Sequence, residues 1–298
     1  MQAASILAPL PSKDYAMQDI PEIRPGQSIE LLKELHILTR DGKLNQDSRR
    51  KLKQVYHLYQ FIEPLLKSVQ AQHGEGNQGI SLVDHGAGKS YLGFILHDLF
   101  FRTLNDHSHI YGIESRAELV EKSVALAARL KFSGMSFLAL TVADAIVSNL
   151  LPAKIDIVTA LHACNTATDD AIHFALKKKA THIVLVPCCQ AEVASVLNRL
   201  KGKALGKNAL TELWRHPLHT REFGSQLTNV LRCLQLEAHG YQVSVTELVG
   251  WEHSMKNELI IATWKDLPTR RPAHRLQEIL ETVGLREQMA DRFFVPAA

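Results

Sequence analysis

The chain alternates short apolar runs with longer stretches in which apolar residues recur every three or four positions. SIELLKELHIL predicts a short helix and RDGKLN a turn. In SRRKLKQVYHLYQFIEPLLKSVQ, the residues Leu52, Val55, Leu58, Tyr59, Ile62, Leu65 and Leu66 form one buried helical face. Asp47 or Ser48 is placed to cap that helix. The first 26 residues, broken by four prolines, read as an extended arm.

After the loop AQHGEGNQG the pattern changes period. ISLVD predicts a strand, KSYLGFILHDLFFRTL a helix, HIYGIE a strand and RAELVEKSVALAARLKF a helix. MSFLALTVAD predicts a strand ending in an acidic turn, and IDIVTALHAC and THIVLVPCC are two further strands. Residues 190 to about 239 are mainly helical. Two late strands, YQVSVTELV and NELIIATW, are joined by GWEHSMK and can close the sheet antiparallel. HRLQEILETVGLREQMADRF ends the chain as one or two helices. The alternation predicts an α/β fold, a doubly wound, seven-stranded, mostly parallel sheet with helices on both faces. The expected division is an N-terminal arm and helices over 1–70, the α/β domain over 71–265, and a helical tail over 266–298.

Composition narrows the setting. A chain of 298 residues with 46% hydrophobic and 22% charged residues supports a sizeable core. A net charge of +3 is too small to imply nucleic acid by itself. The four cysteines, Cys164, Cys188, Cys189 and Cys233, form no C-x-x-C pair and suggest no disulfide framework, so a reduced, cytoplasmic compartment is expected. The N-terminus makes a poor signal peptide, and no stretch reaches the roughly 18 apolar residues of a membrane span. The fifteen histidines are scattered without metal-ligand spacing, and no metal site is expected.

The candidate chemistry starts at LVDHGAGKS. A P-loop needs G-x-x-x-x-G-K-[ST], but five residues before Gly88 stands Val83, inside the strand. A dinucleotide fingerprint needs glycine at Tyr91. A site for S-adenosylmethionine fits better. Asp84 can accept from the donor's amine. Gly86 and Gly88 let the backbone pass close to the ligand. The helix start after Gly88 suits the donor carboxylate, which Lys89 can also meet. Glu114, ending the next strand, is placed for the ribose hydroxyls. Asp144, after the third strand, is placed near the adenine.

LHACN lies where the fourth strand ends, the expected position of the methyl group, with Leu161 against the donor. His162 can act as a general base. Cys164 can be a nucleophile or a small apolar filler. Asn165, Thr166 and Thr168 can cap the next helix, with Asp169 in its first turn. Glu252 and His253 sit in the turn between the last strands.

Taken together, DHGAGKSYLGF, LHACNTATDDAI, VPCCQ and WEHSMKN resemble a family of class I S-adenosylmethionine-dependent methyltransferases. Its bacterial members show D-F-G-C-G-K-S-Y-L, L-H-A-C-D-T-A-T-D and V-P-C-C-Q-H. The methyltransferase-like module of glutathione S-transferase C-terminal-domain-containing proteins is similar. The resemblance spans about residues 50–265. Here His85 and Ala87 replace Phe and Cys, and Asn165 replaces Asp. The resemblance implies a Rossmann-like methyltransferase fold, S-adenosylmethionine as cofactor and S-adenosylhomocysteine as product. His162, Cys164 and Asn165 would line the transfer site.

Basic content in SRRKLK, in the lysines at 177–179, in LKGKALGK and in LWRHPLHTR favours an RNA or ribosome-associated acceptor. A protein or small-molecule acceptor, a non-catalytic cofactor-binding module on the same fold and an ATPase are the rival readings. The pattern is silent on oligomeric state.

Overall fold

The computed structural model describes residues 20–74, 78–104, 107–161, 163, 165–187, 190–204, 209–248 and 258–296, the side chains of 201–204 excepted. Two helices lead in. α1 (Ile29–Glu34) starts at Ser28, whose side chain accepts from the Leu31 amide. α2 (Gln46–His73) is capped two to three residues earlier than expected: Asn45 accepts from the Ser48 amide at 2.8 Å. Asp47 and Ser48 are therefore inside the helix, which runs on through Pro64.

The α/β alternation follows as β1 (Ser81–His85), α3 (Tyr91–Leu99), β2 (His109–Glu114), α4 (Ala117–Leu130), β3 (Met135–Ala139), α5 (Val142–Val147), β4 (Ile157–Leu161), α6 (Ala167–Lys177) and β5 (His182–Val186). Then come α7 (Glu192–Ala204), α8 (Pro217–Ala238), β6 (Tyr241–Glu247), β7 (Glu258–Trp264), α9 (Arg270–Thr282) and α10 (Arg286–Met289). The seven strands lie in the order β3-β2-β1-β4-β5-β7-β6. Strands β1 to β5 pair in parallel, and β7 runs antiparallel to both β5 and β6. The expected doubly wound, mostly parallel sheet is present, and its strand order is that of class I methyltransferases.

Strand alternation sorts the core into two layers. Leu82 of β1 and Ile157 of β4 face α2 and α3, packing with Leu58, Ile62 and Leu66. Val83 and Val158 face the other way, onto Phe174 of α6 and Leu236 of α8. The tail joins a third cluster, in which Leu276, Leu280 and Phe293 pack on α7 and α8. The order reverses between β1 and β4, and in such a sheet the crevice beyond the strands' carboxyl ends at that point is where ligands bind. Among the described residues, no helix is long and apolar enough to cross a membrane.

Candidate active site

The turn after β1 bends sharply. Gly86 (φ 67°) and Gly88 (φ 58°) occupy the left-handed region, where a side chain is strained. A Cβ on Gly88 would meet nothing within 4 Å, so the face above it is open to a ligand. Ser90 (φ 51°) is also left-handed, at a place that favours glycine. It stands as N-cap of α3 without a side-chain cap bond, which leaves that helix start free of a side-chain acceptor. Ser90 is buried against β2, where a Cβ on Gly112 would lie 2.7 Å from its Oγ. Gly112 is thus required by a close approach that the strand pattern did not reveal.

Asp84 is sealed rather than open, at 2% exposure. The Thr159 hydroxyl of β4 donates to its Oδ1 at 2.7 Å. Burial pushes its carboxyl up to about 7, against the opposing hydrogen bonds from Thr159 and the Gly93 amide. The residue ties β1, β4 and α3 together at the foot of the glycine turn. Glu114 behaves oppositely. Its Oε2 accepts from the Gly88 amide at 2.9 Å, so the two expected donor contacts are joined directly. Its Oε1 accepts from the Arg116 backbone amide at 3.1 Å and from Arg116 Nε at 2.9 Å. The Arg116 guanidinium holds the carboxyl down at about 2, burial opposing and the Arg116 and Gly88 amides assisting.

Other expected residues land differently. Asp144 does not sit in a turn directly off the strand: β3 ends at Ala139, and Asp144 is in the first turn of α5. It is exposed, and the Thr141 hydroxyl donates to its Oδ2 at 2.6 Å. Asn165, left-handed at φ 52°, accepts through Oδ1 from the Ala191 and Glu192 amides at 3.0 and 3.1 Å. It caps the start of α7, not the helix that follows it in sequence. Thr166 is the N-cap of α6 without a side-chain cap bond, and Thr168 donates instead to the Ala163 carbonyl at 2.6 Å. His162, Cys164, Cys188, Cys189, Glu252 and His253 lie outside the described residues.

Two further residues make contacts that the chain pattern does not signal. Arg232 of α8, 1% exposed, forms a fork on Asp169 at 2.8 and 2.7 Å. It also donates to the Asn165 carbonyl at 2.9 Å, which pins the loop after β4 to α8. His85, where the resembling family has Phe, lies 5.6 Å from Phe174 between ring centroids. Neither of its ring nitrogens has a hydrogen-bond partner among the described residues. Burial lowers its pKa to about 4, against the pull of Glu114, and holds the ring neutral.

Beside the glycine turn, on the α2–α3 side of the sheet, is a cavity of about 460 Å³. Leu58, Tyr59 and Val55 of α2 wall it, with Tyr91 and Leu92 of α3. Lys89 and Leu161, two of the expected donor residues, line it as well. A groove of about 550 Å³ on the other flank of α2 is built from residues 22 to 60 alone and touches no strand. Among the described residues, no His, Cys, Asp and Glu group could hold a metal ion.

The sheet order and the glycine turn at its switch point define a class I, S-adenosylmethionine-dependent methyltransferase fold. A family model described as a methyltransferase domain matches residues 50–196. The chain is thus a methyltransferase, with S-adenosylmethionine as its methyl donor. No curated protein matches it. Among solved structures, magnesium protoporphyrin IX methyltransferase from Synechocystis PCC 6803, with S-adenosylhomocysteine bound, is 15% identical (TM-score 0.41). That alignment covers 79% of this chain and 94% of the other. The N-terminal domain of human METTL16, also with S-adenosylhomocysteine, is 10% identical over 70% of this chain and 69% of that one (TM-score 0.40). Likenesses this distant do not bear on the acceptor.

Proposed function

We propose that the chain transfers the methyl group of S-adenosylmethionine to an RNA or ribosome-associated acceptor. The observation that carries the donor site is the joining of Glu114 to the Gly88 amide across an open glycine turn. In this reading Glu114 receives the ribose hydroxyls, Gly86 and Gly88 let the donor lie close, and Asp144 meets the adenine. Asp84 answers the donor's amine from below, while Lys89 and the start of α3 answer its carboxylate. Leu161 packs beside the reacting methyl.

When bound, S-adenosylmethionine supplies an electrophilic methyl on a sulfonium centre. The residues then position the acceptor in line and exclude water. His162 takes the proton that the methylated atom gives up, and Cys164 walls the transfer site. Asn165 serves as a positioning residue, because its Oδ1 is committed to α7. The methyltransferase domain is residues 71–265, between the N-terminal segment 1–70 and the tail 266–298, in a cytoplasmic setting.

Exposed basic turns support the RNA reading at the start of α2 more than elsewhere. In the 177–179 lysine run Lys178 is buried, and Arg215 pairs with Glu212. The test is calorimetry with S-adenosylmethionine, followed by labelled-methyl transfer into fractionated extract from a deletion strain. Donor binding and a labelled RNA band are expected. Binding of ATP but not of S-adenosylmethionine would overturn the reading, and a labelled protein or small molecule would overturn the acceptor.

A further inference from the structure

We infer that the cavity between α2, α3 and the turn that follows α1 is the acceptor pocket and takes one nucleotide unit of a single-stranded RNA. This rests on the methyl-transfer reading above and assigns the N-terminal helices a substrate-binding role. Position is the first argument. Leu161 ends β4 on the same sheet face as Thr159 and Ile157, and Lys89 follows the glycine turn, so the cavity opens beside the donor site. Size is the second, since about 460 Å³ is in the range that encloses a small ligand of roughly 300–1,000 Å³.

Wall chemistry is the third. Leu58, Val55, Tyr91 and Leu92 present apolar and aromatic surface that suits a flat base. The charged side chains in the lining, Lys51 and Lys89, are both basic, and no carboxylate is among them. Such a lining attracts a phosphate and opposes the lysine or arginine side chain of a protein acceptor. The positive charge also continues outside the cavity. Arg50 stands exposed beside Lys51 on the first turns of α2, whereas Arg49, held by Glu22 at 2.9 Å, and Lys53 line the groove on the other flank. A free small anion needs only the cavity, whereas a strand of phosphates also uses this rim. The N-terminal segment is held firmly enough to serve as a wall. The Ser28 amide donates to Asp98 of α3 at 2.9 Å, and Arg24 lies 4.6 Å above the Tyr59 ring.

The test uses the full chain saturated with S-adenosylhomocysteine and a fluorescein-labelled, random-sequence single-stranded RNA, read by anisotropy at low salt. The wild type is expected to bind, and Lys51→Glu to weaken binding about tenfold with a salt slope shallower by about 0.7. Val55→Trp, which fills the cavity without touching charge, is expected to weaken RNA binding while calorimetric affinity for S-adenosylmethionine changes less than about twofold. RNA binding unchanged in both variants would overturn the inference. So would an equal loss of donor affinity, which would make the cavity part of the donor site, or competition by free nucleotide monophosphate as strong as by the strand. Loss of donor binding in the wild type with RNA binding intact would sink the methyl-transfer reading instead.

Discussion

Two carboxylates stand at the ends of neighbouring strands and behave in opposite ways. Asp84 lies across the β1–β2 ladder from Gly112, and Glu114 is two residues further along. Asp84 is enclosed with one hydroxyl and one amide, and burial raises its pKa to about 7. Glu114 is 7% exposed and less deeply enclosed, and there the Arg116 fork and two backbone amides outweigh burial and hold it ionised, down to about 2. The balance of burial against local partners decides the charge state. The consequence is a division of labour. In the proposed donor site, Glu114 is an acceptor that is already ionised, while Asp84 is an acid that must lose a proton before it can pair with a cationic amine.

The largest expected effect breaks this pair at Asp84. Asp84→Ala should lower affinity for S-adenosylmethionine by about 100-fold, the scale of a lost hydrogen bond to a charged group. Asp84→Asn keeps a partner for Thr159 and should still lose most of that affinity. Calorimetry on both variants checks this, and wild-type affinity in Asp84→Asn would show that the charge is not used.

The pH dependence sharpens the contrast. If the proposed donor site uses the Asp84 carboxylate, wild-type affinity should fall as pH drops through about 7, by up to about tenfold per unit. In Asp84→Asn the same titration should be flat. The sign reverses for the empty chain. A raised carboxyl pKa stabilises the fold below its ordinary value, and that contribution is lost as pH rises through about 7. Glu114, held at about 2, does not titrate in this window. Its contribution to stability is present above its ordinary value and is lost as pH falls toward 2.

The smallest effect is expected at Arg116. Its fork occupies Glu114 with a side chain that is 61% exposed, so solvent screens the contact and keeps it weak. Arg116→Ala should free the carboxylate for ribose hydroxyls and tighten donor binding by up to about fivefold. It should also shift acid unfolding upward, because Glu114 then titrates nearer its ordinary value. Weaker donor binding in Arg116→Ala would mean that the arginine helps to hold the donor rather than competing with it.

Much of this was legible along the chain. Apolar alternation marked HIYGIE as a strand, and β2 is that segment end to end. The spacing of Leu52 to Leu66 identified α2 and its buried face, because helix geometry repeats along the chain and needs no distant partner. The glycine turn was legible for the same reason: its left-handed residues are a local demand of the backbone. Asn45 was missed as a cap although it too is local, because Asp47 and Ser48 offered equivalent side chains nearby. Asp144 was placed by analogy at a strand end and lies in a helix, since Thr141 supplies a cap that ends the extended run.

What only the tertiary structure decided comes from residues far apart in sequence. Arg232 meets Asp169 across 63 positions, and Thr159 meets Asp84 across 75. No periodicity encodes such pairs, because they arise when separate elements are packed side by side. The charge states of Asp84 and Glu114 belong to this class, as does the bond from the Ala191 amide to Asn165 Oδ1 at the start of α7. The cavity beside Lys89 and Leu161 belongs there too. The sequence by itself determined the strands, the turn and the class of chemistry, since each depends on near neighbours. The tertiary structure decided which charges are buried and which are paired, since burial and pairing are properties of surfaces brought together by folding.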